Sequence, residues 1–446
     1  MFTPLEITET KNNYKESKSL TGFNFLDKQK GYIALIITVF VLVLILGIAL
    51  NASFLVVSEN KIFSNISRAT QSYYGAESGV EDALLRLKSS PTMAGLSYNL
   101  DVGGGTVNVV IPNMIGGSRT VTSQGDIAGR IKKVQAVYRM DADQISFYYG
   151  AQVGDGGMVM GNNSRIKGNV FSNGSVTGSG IIDNSIAVAG NGNKIEDLSV
   201  GEDAAVHTCV DSDIGGDLTY VSGGSVSSCT AGGTVGSQPN EILPQALPIS
   251  TAQIDEWKSE AQAGGVITSN ITIDGASSNL GPVQIGTSSS PKNLTITNNS
   301  RVKIKGTVYV TGNVIFSNNS IIELDTPTYG SFSGVIIADG RITADNNAIL
   351  RGTGQAGSYI LVLSTNSSLD PATPAISVNN NAAGAIFYTS NGLILLSNNM
   401  LAREVTGYKI QINNNAVIEY ESGLENPIFS SGPGGSWIVE NWKEAE

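Results

Sequence analysis

Residues 298–320 read NNSRVKIKGTVYVTGNVIFSNNS. Two Asn-Asn-Ser corners bracket a run from Arg301 to Phe316 in which apolar residues alternate with polar ones, and Gly306 and Gly312 interrupt it. Alternation of this kind is the mark of a strand with one buried face. Asn tolerates the left-handed backbone conformation that a tight corner needs. The same punctuation recurs at Asn162-Asn163-Ser164, Asn346-Asn347, Asn379-Asn380-Asn381, Asn398-Asn399 and Asn413-Asn414-Asn415. Asn298 to Asn318 is 20 residues and Asn318 to Asn346 is 28, which allows for loops on some coils. Short β runs repeating at this period predict a solenoid, here a right-handed parallel β-helix over residues 144–446. Stacked coils lie ~4.8 Å apart, so corner amides in successive coils can form a ladder. An antiparallel sandwich would instead want Asn-Gly hairpins at short intervals. Asn173-Gly174 and Asn391-Gly392 exist, but the Asn pairs outnumber them.

One helix is expected to interrupt the coils near 250–263. Ser250-Thr-Ala-Gln253 is a capping box, Ile249 and Ile254 fit a hydrophobic staple, and Gly264-Gly265 stops it. We expect it to cover an open flank or end of the solenoid, with Trp437 to Trp442 lying on the last coil. Cys209 and Cys229, the only cysteines, are 20 residues apart. That separation approximates one coil, so they are disulfide candidates.

Toward the N-terminus the texture changes. Residues 32–50 read YIALIITVFVLVLILGIAL, with Thr38 the only polar side chain after the opening Tyr. At ~1.5 Å per residue the run covers the ~30 Å hydrocarbon layer of a bilayer. Lys28 and Lys30 precede it and Glu59 follows, so positive-inside bias predicts a cytoplasmic N-terminus and an extracytoplasmic C-terminal part. Beyond the span, Ile62, Ile66, Ala69, Tyr73, Ala76, Val80, Ala83 and Leu87 repeat at helical spacing, and Pro91 ends the pattern. Strands are expected at Thr106–Ile111, Arg119–Thr122 and Arg130–Met140. The last has Val134, Ala136, Tyr138 and Met140 on one face, which needs a partner such as the helix seam.

Lys30-Gly31-Tyr32 followed at once by an apolar helix resembles the processing site of type IV prepilins. The stretch from Ser72 to Leu84 (SYYGAESGVEDAL) is similar to the signature of PilX-type minor pilins. The resemblance implies cleavage by prepilin peptidase between Gly31 and Tyr32 and methylation of Tyr32, with Ala76, Glu77, Gly79 and Glu81 as signature positions. It implies a cytoplasmic leader (1–31), a pilin-like helix (32–90) and a small sheet (91–143) ahead of the solenoid. Its partners would be other pilin subunits and the inner-membrane assembly machinery. The fifth mature position is Ile36, where filament-building pilins carry Glu, so the match favours a minor subunit.

Composition limits the chemistry. The 446 residues carry 27 Lys and Arg against 38 Asp and Glu, a formal charge of −11, with one His. Such a chain is a poor nucleic-acid binder, because phosphate contacts need clustered cations. Metal sites rich in His or Cys are excluded, and no calcium-loop motif is visible. His207 reads as a structural or solvated histidine. Polysaccharide-cleaving β-helices need paired carboxylates. Arg165-Ile166-Lys167 and Arg130-Ile131-Lys132 match one fragment of a polygalacturonase pattern, but no Asp-Asp pair or Gly-His-Gly accompanies them. The expectation is therefore a cofactor-free, non-enzymatic surface protein with a glycan or protein ligand. A membrane-anchored β-helical polysaccharide enzyme is the alternative.

Overall fold

The computed structural model describes residues 30–89, 93, 95–113, 118–140, 142–425, 427–430 and 437–445. Residues 1–29 of the expected leader (1–31) and the Pro91 helix stop lie outside them. One helix, α1, spans Lys30–Ser89. It is long and apolar enough to cross a membrane, and none of its apolar window is buried. The chain divides into two compact units at Arg68/Ala69. In the first, Ile62 and Ile66, which the periodicity places on the seam, are more than half exposed.

In the second unit the seam does bury. Ala76, Val80, Ala83 and Leu87 are fully covered by an antiparallel sheet of β1 (Leu96–Val102), β2 (Gly105–Ile111), β3 (Ser118–Ile127), β4 (Arg130–Met140) and the strand Trp437–Ala445. Val107, Val109, Val121, Val134, Ala136 and Tyr138 form the facing surface in one core with the helix, as period-two alternation requires. The sequence nominated three of these strands. It missed β1, and it placed the C-terminal strand wrongly. Trp437–Ala445 does not lie on the last coil but pairs antiparallel with β4, Tyr138 opposite Val439 and Ala136 opposite Trp442. Without it β4 would be an unpaired edge of 11 residues, a row of open N–H and C=O groups that native sheets cover.

The remainder is a three-faced solenoid of parallel strands. The coil that opens it has Ala151–Val153 on the first face, Met158–Met160 on the second and Arg165–Lys167 on the third. Each pairs in parallel with the following coil, Ala151 with Val170, Met158 with Val176 and Arg165 with Ile181. Winding continues to Val235–Gln238. The chain then turns back as a strap along the coils just laid down. Ile242 accepts from Gly190 N at 3.1 Å, Gln245 exchanges two hydrogen bonds with Asn173, and Ala246 accepts from Gln152 at 2.9 Å. Coiling restarts at Val266–Ile267 and runs back toward the first coil. It closes on it: Val405 pairs with Ala151, Ile410 with Met158 and Ile418 with Ile166. The solenoid is thus two half-stacks that meet at a seam, the first wound outward from it and the second wound back to it from the far end, and the chain enters and leaves there. Beside the seam, Ala142–Gln144 pairs antiparallel with Ile428–Ser430, giving a two-stranded connection to the small sheet.

The helix α2 (Thr251–Ala263) follows the strap. Ser250 caps it, its hydroxyl accepting from Gln253 N at 3.2 Å. Ile254, Trp257 and Ala261 bury against Tyr309, Val335, Leu361 and Tyr388, so α2 covers the first face of the second half-stack. Cys209 and Cys229 are joined and tie the last two coils of the first half-stack. Closing a loop of this size is worth ~3 kcal/mol in the chain-entropy model.

The corner amides ladder as their spacing implies. Both residues of each pair from Asn298-Asn299 through Asn414-Asn415 have positive φ. Asn347 donates to Asn319 at 3.0 Å and accepts from Asn381 at 3.2 Å. Asn347→Ala removes two amide bonds and puts a β-carbon-bearing residue without a compensating side chain at φ 62°. We expect a loss of about 2 kcal/mol in denaturant unfolding, with Asn347→Gly losing less.

Candidate functional site

Gly31 and Tyr32 fall in the first turn of α1. Tyr32 is 71% exposed, as are most side chains of the span that follows, a surface suited to lipid or to other apolar helices.

The signature positions divide by role. Ala76 and Gly79 are buried under the sheet. A β-carbon on Gly79 would sit 2.3 Å from Ser123 Oγ and 2.8 Å from both Val107 and Val109, so glycine is what lets helix and strands approach. Gly125 on β3 does the same from the other side, facing the Ser72 carbonyl, and the Ser72 hydroxyl donates to Gly125 O at 2.6 Å. Tyr138 donates from the sheet to Val80 O at 2.8 Å. Glu77 is half-buried, and its hydrogen bond with Tyr73 raises that phenol above its ordinary value. Glu81 is exposed.

Sequence reading passed over one cluster here. Asp82 accepts from Arg86 Nε and from Tyr98 OH, each at 2.6 Å, and the Arg86 guanidinium lies 4.2 Å from the Tyr98 ring centre. This clamp fastens β1 to the helix. The i,i+4 pair Asp82/Arg86 was the available signal, but nothing in the sequence identified Tyr98 as its third member.

On the solenoid, the third face carries charges in cross-coil register. Lys303 pairs with Glu323 and Glu323 with Arg351. Across the seam Glu419 stands opposite Lys167, with Nζ 3.2 Å from the carboxylate. Exposed pairs contribute only ~0–1 kcal/mol each. Their larger effect is on register, because a slipped coil would oppose like charges. His207 meets Glu241 of the strap at 2.7 Å, so it serves to hold the return segment down.

Beneath the seam lies a charge of another kind. Glu404 opens the strand Glu404–Ile412 and is fully buried. Thr406 donates to one carboxyl oxygen at 2.5 Å, and the other has no hydrogen-bond partner among the described residues. Burial pushes its pKa well above the ordinary carboxylate value, more than the Thr406 hydroxyl pulls it down. Among the described residues no group of three or more His, Cys, Asp or Glu is placed to hold a metal ion.

No protein-family model and no curated protein matches the sequence. Among solved structures, the chain is similar to the competence-associated pilin ComZ from Thermus thermophilus at 10% identity. That alignment covers 85% of this chain and 97% of the pilin with a TM-score of 0.29. It is also similar to an ice binding protein from an Antarctic bacterium, Flavobacteriaceae, at 11% identity, covering 61% of this chain and 81% of that one with a TM-score of 0.13. Both TM-scores lie below 0.5. The chain's own geometry is that of a mainly β protein with one apolar N-terminal helix, long enough to span a membrane, whose last turns pack on an antiparallel sheet.

Proposed function

We propose that this protein is a minor-pilin-like subunit of the PilX type. It is anchored by α1 with the C-terminal part outside the membrane, and it enters or primes a type IV pilus-type filament. The solenoid is displayed there for adhesion to, or interaction with, a glycan or protein. The observation that carries this reading is the single helix Lys30–Ser89, which is bare and apolar over one part and seated on an antiparallel sheet through Ala76, Gly79, Val80, Ala83 and Leu87 over the other. Ile36 at the fifth mature position argues against a shaft-forming role. In this reading the solenoid binds its ligand and does not turn it over. The carboxylates Glu323 and Glu419 of its third face are engaged in ion pairs.

Intact mass and terminal sequencing of the protein recovered from membranes test the reading. The expected chain begins at N-methylated Tyr32 and lacks residues 1–31. Gly31→Leu should retain them and abolish filament incorporation. A native chain that still begins at Met1 would overturn the pilin assignment.

A further inference from the structure

The third face is interrupted where the second half-stack approaches the seam. Strand Ile349–Arg351 is followed by a loop at 352–358 that stands out at the corner between the third and first faces, whereas the next coil has only Ala383 on the third face and turns that corner on Gly384 and Ala385. Ala383 makes only isolated bridges to Ile349 and Leu401. Gly384, at φ 113°, passes so close to Leu350 O that a β-carbon would lie 2.1 Å away. One coil therefore carries no side chain longer than a methyl where its neighbours carry Arg351 and Arg403. Those arginines, two coils or about 10 Å apart, flank a trough of about 720 Å³, within the usual range for small-ligand sites.

The trough is braced. Ser358, 7% exposed, accepts from Thr353 N at 3.0 Å and donates to Phe332 O at 2.8 Å. Tyr359 reaches across to Glu421 on the departing segment at 3.1 Å and closes one end. The floor, Ile349, Ala383 and Leu401, is apolar. Arg351 gives Nε and Nη2 to Glu323, and Arg403 gives Nη1 to Glu419 and Glu421. Arg351 Nη1 and Arg403 Nη2 have no hydrogen bond among the described residues.

We propose that this trough binds an acidic sugar residue of a glycan chain. A guanidinium edge matches a planar carboxylate. The apolar floor suits the C–H face of a pyranose ring, and the adjacent carboxylates and loop amides accept and donate to hydroxyls. The same carboxylates disfavour a multiply charged anion such as phosphate. The inference deepens the display role proposed above by naming the ligand class.

The test is calorimetric titration of the full chain in nanodiscs with trigalacturonic acid and with neutral maltotriose. The uronate should bind saturably, at least about tenfold more tightly than the neutral trisaccharide, as one charge-assisted contact allows. Arg403→Gln should weaken it by about the same factor. Ala383→Leu, which fills the floor without touching a charge, should abolish it at unchanged melting temperature. Arg165→Gln, on the same face beyond the seam, should leave it unaltered. Equal binding of both sugars, no saturable uronate binding, or undiminished binding by Ala383→Leu would overturn the site. A chain that passes this test yet retains residues 1–31 would keep the trough and lose the pilin reading.

Discussion

Leucine in place of Gly79 is expected to lift α1 off its sheet, at a cost of about 3 kcal/mol or more. The position has no slack. Ser123 Oγ could rotate away from an added β-carbon, but the branched side chains of Val107 and Val109 project from paired strands and are fixed by their backbones. Alanine should cost less, because the bulk is smaller and its helix propensity is about 1 kcal/mol better than glycine's. Leucine gains the propensity and adds three more carbons that have nowhere to go. Native-state hydrogen exchange at the amides of Val107, Val109 and Val121 is the measurement, with faster exchange confined to the small sheet. Glu81→Leu, two residues on and exposed, is the control and should change stability by no more than about 0.5 kcal/mol. Unaltered exchange in Gly79→Leu would mean that helix and sheet are not packed as described.

The second large effect is on pH dependence. Glu404 has a folded-state pKa raised above its unfolded value by burial. Its contribution to stability is therefore complete below the unfolded carboxylate pKa of about 4.3, and is lost as pH rises through the folded-state value. Across that window the loss accrues at up to about 1.4 kcal/mol per pH unit. Glu404→Gln cannot ionise and should match the parent near pH 4, then be increasingly the more stable of the two toward pH 8. Unfolding midpoints in urea at pH 4.5, 6 and 8 measure the difference. Asp82 and Asp339 work in the opposite direction. Burial alone would raise them, but Arg86 and Tyr98, and Lys258, Tyr309 and Thr365, hold them below the usual range. Their contribution is lost as pH falls, and it cancels between parent and variant. Parallel pH curves for the two proteins would show that Glu404 is hydrated in solution.

Much of this architecture is legible in the residues because its signals are local. The apolar run after Tyr32, the left-handed Asn pairs, the Ser250 cap and the alternation in β4 each identify an element within a few positions of chain. The Cys209–Cys229 bridge follows almost as directly, one coil apart. What stays hidden depends on contacts far apart in sequence. Nothing near Val405 announces that it will pair with Ala151, and nothing in Trp437–Ala445 distinguishes a strand of the small sheet from a lid on the last coil. The charge register of the third face is equally opaque, since Glu419 and Lys167 are 252 residues apart. The trough escapes sequence reading for a related reason, being made where a coil of small residues, Ala383 to Ala385, lies beside the long 352–358 loop, and coil lengths that vary by several residues conceal which corners are neighbours.

The seam also sets how the protein would carry load. A solenoid wound continuously from one end to the other has a terminal coil that tension can peel away, one row of hydrogen bonds at a time. Here the outermost coils are internal turns of the polypeptide, joined to each other by the strap and α2, and both connections to the small sheet leave from the middle. A pull on a ligand held by this domain would pass to the two antiparallel connecting strands together. Unravelling would have to start by parting the Val405–Ala151 and Ile418–Ile166 rows at the waist, so mechanical failure should occur as one event at a single high force and not as a series of small ones.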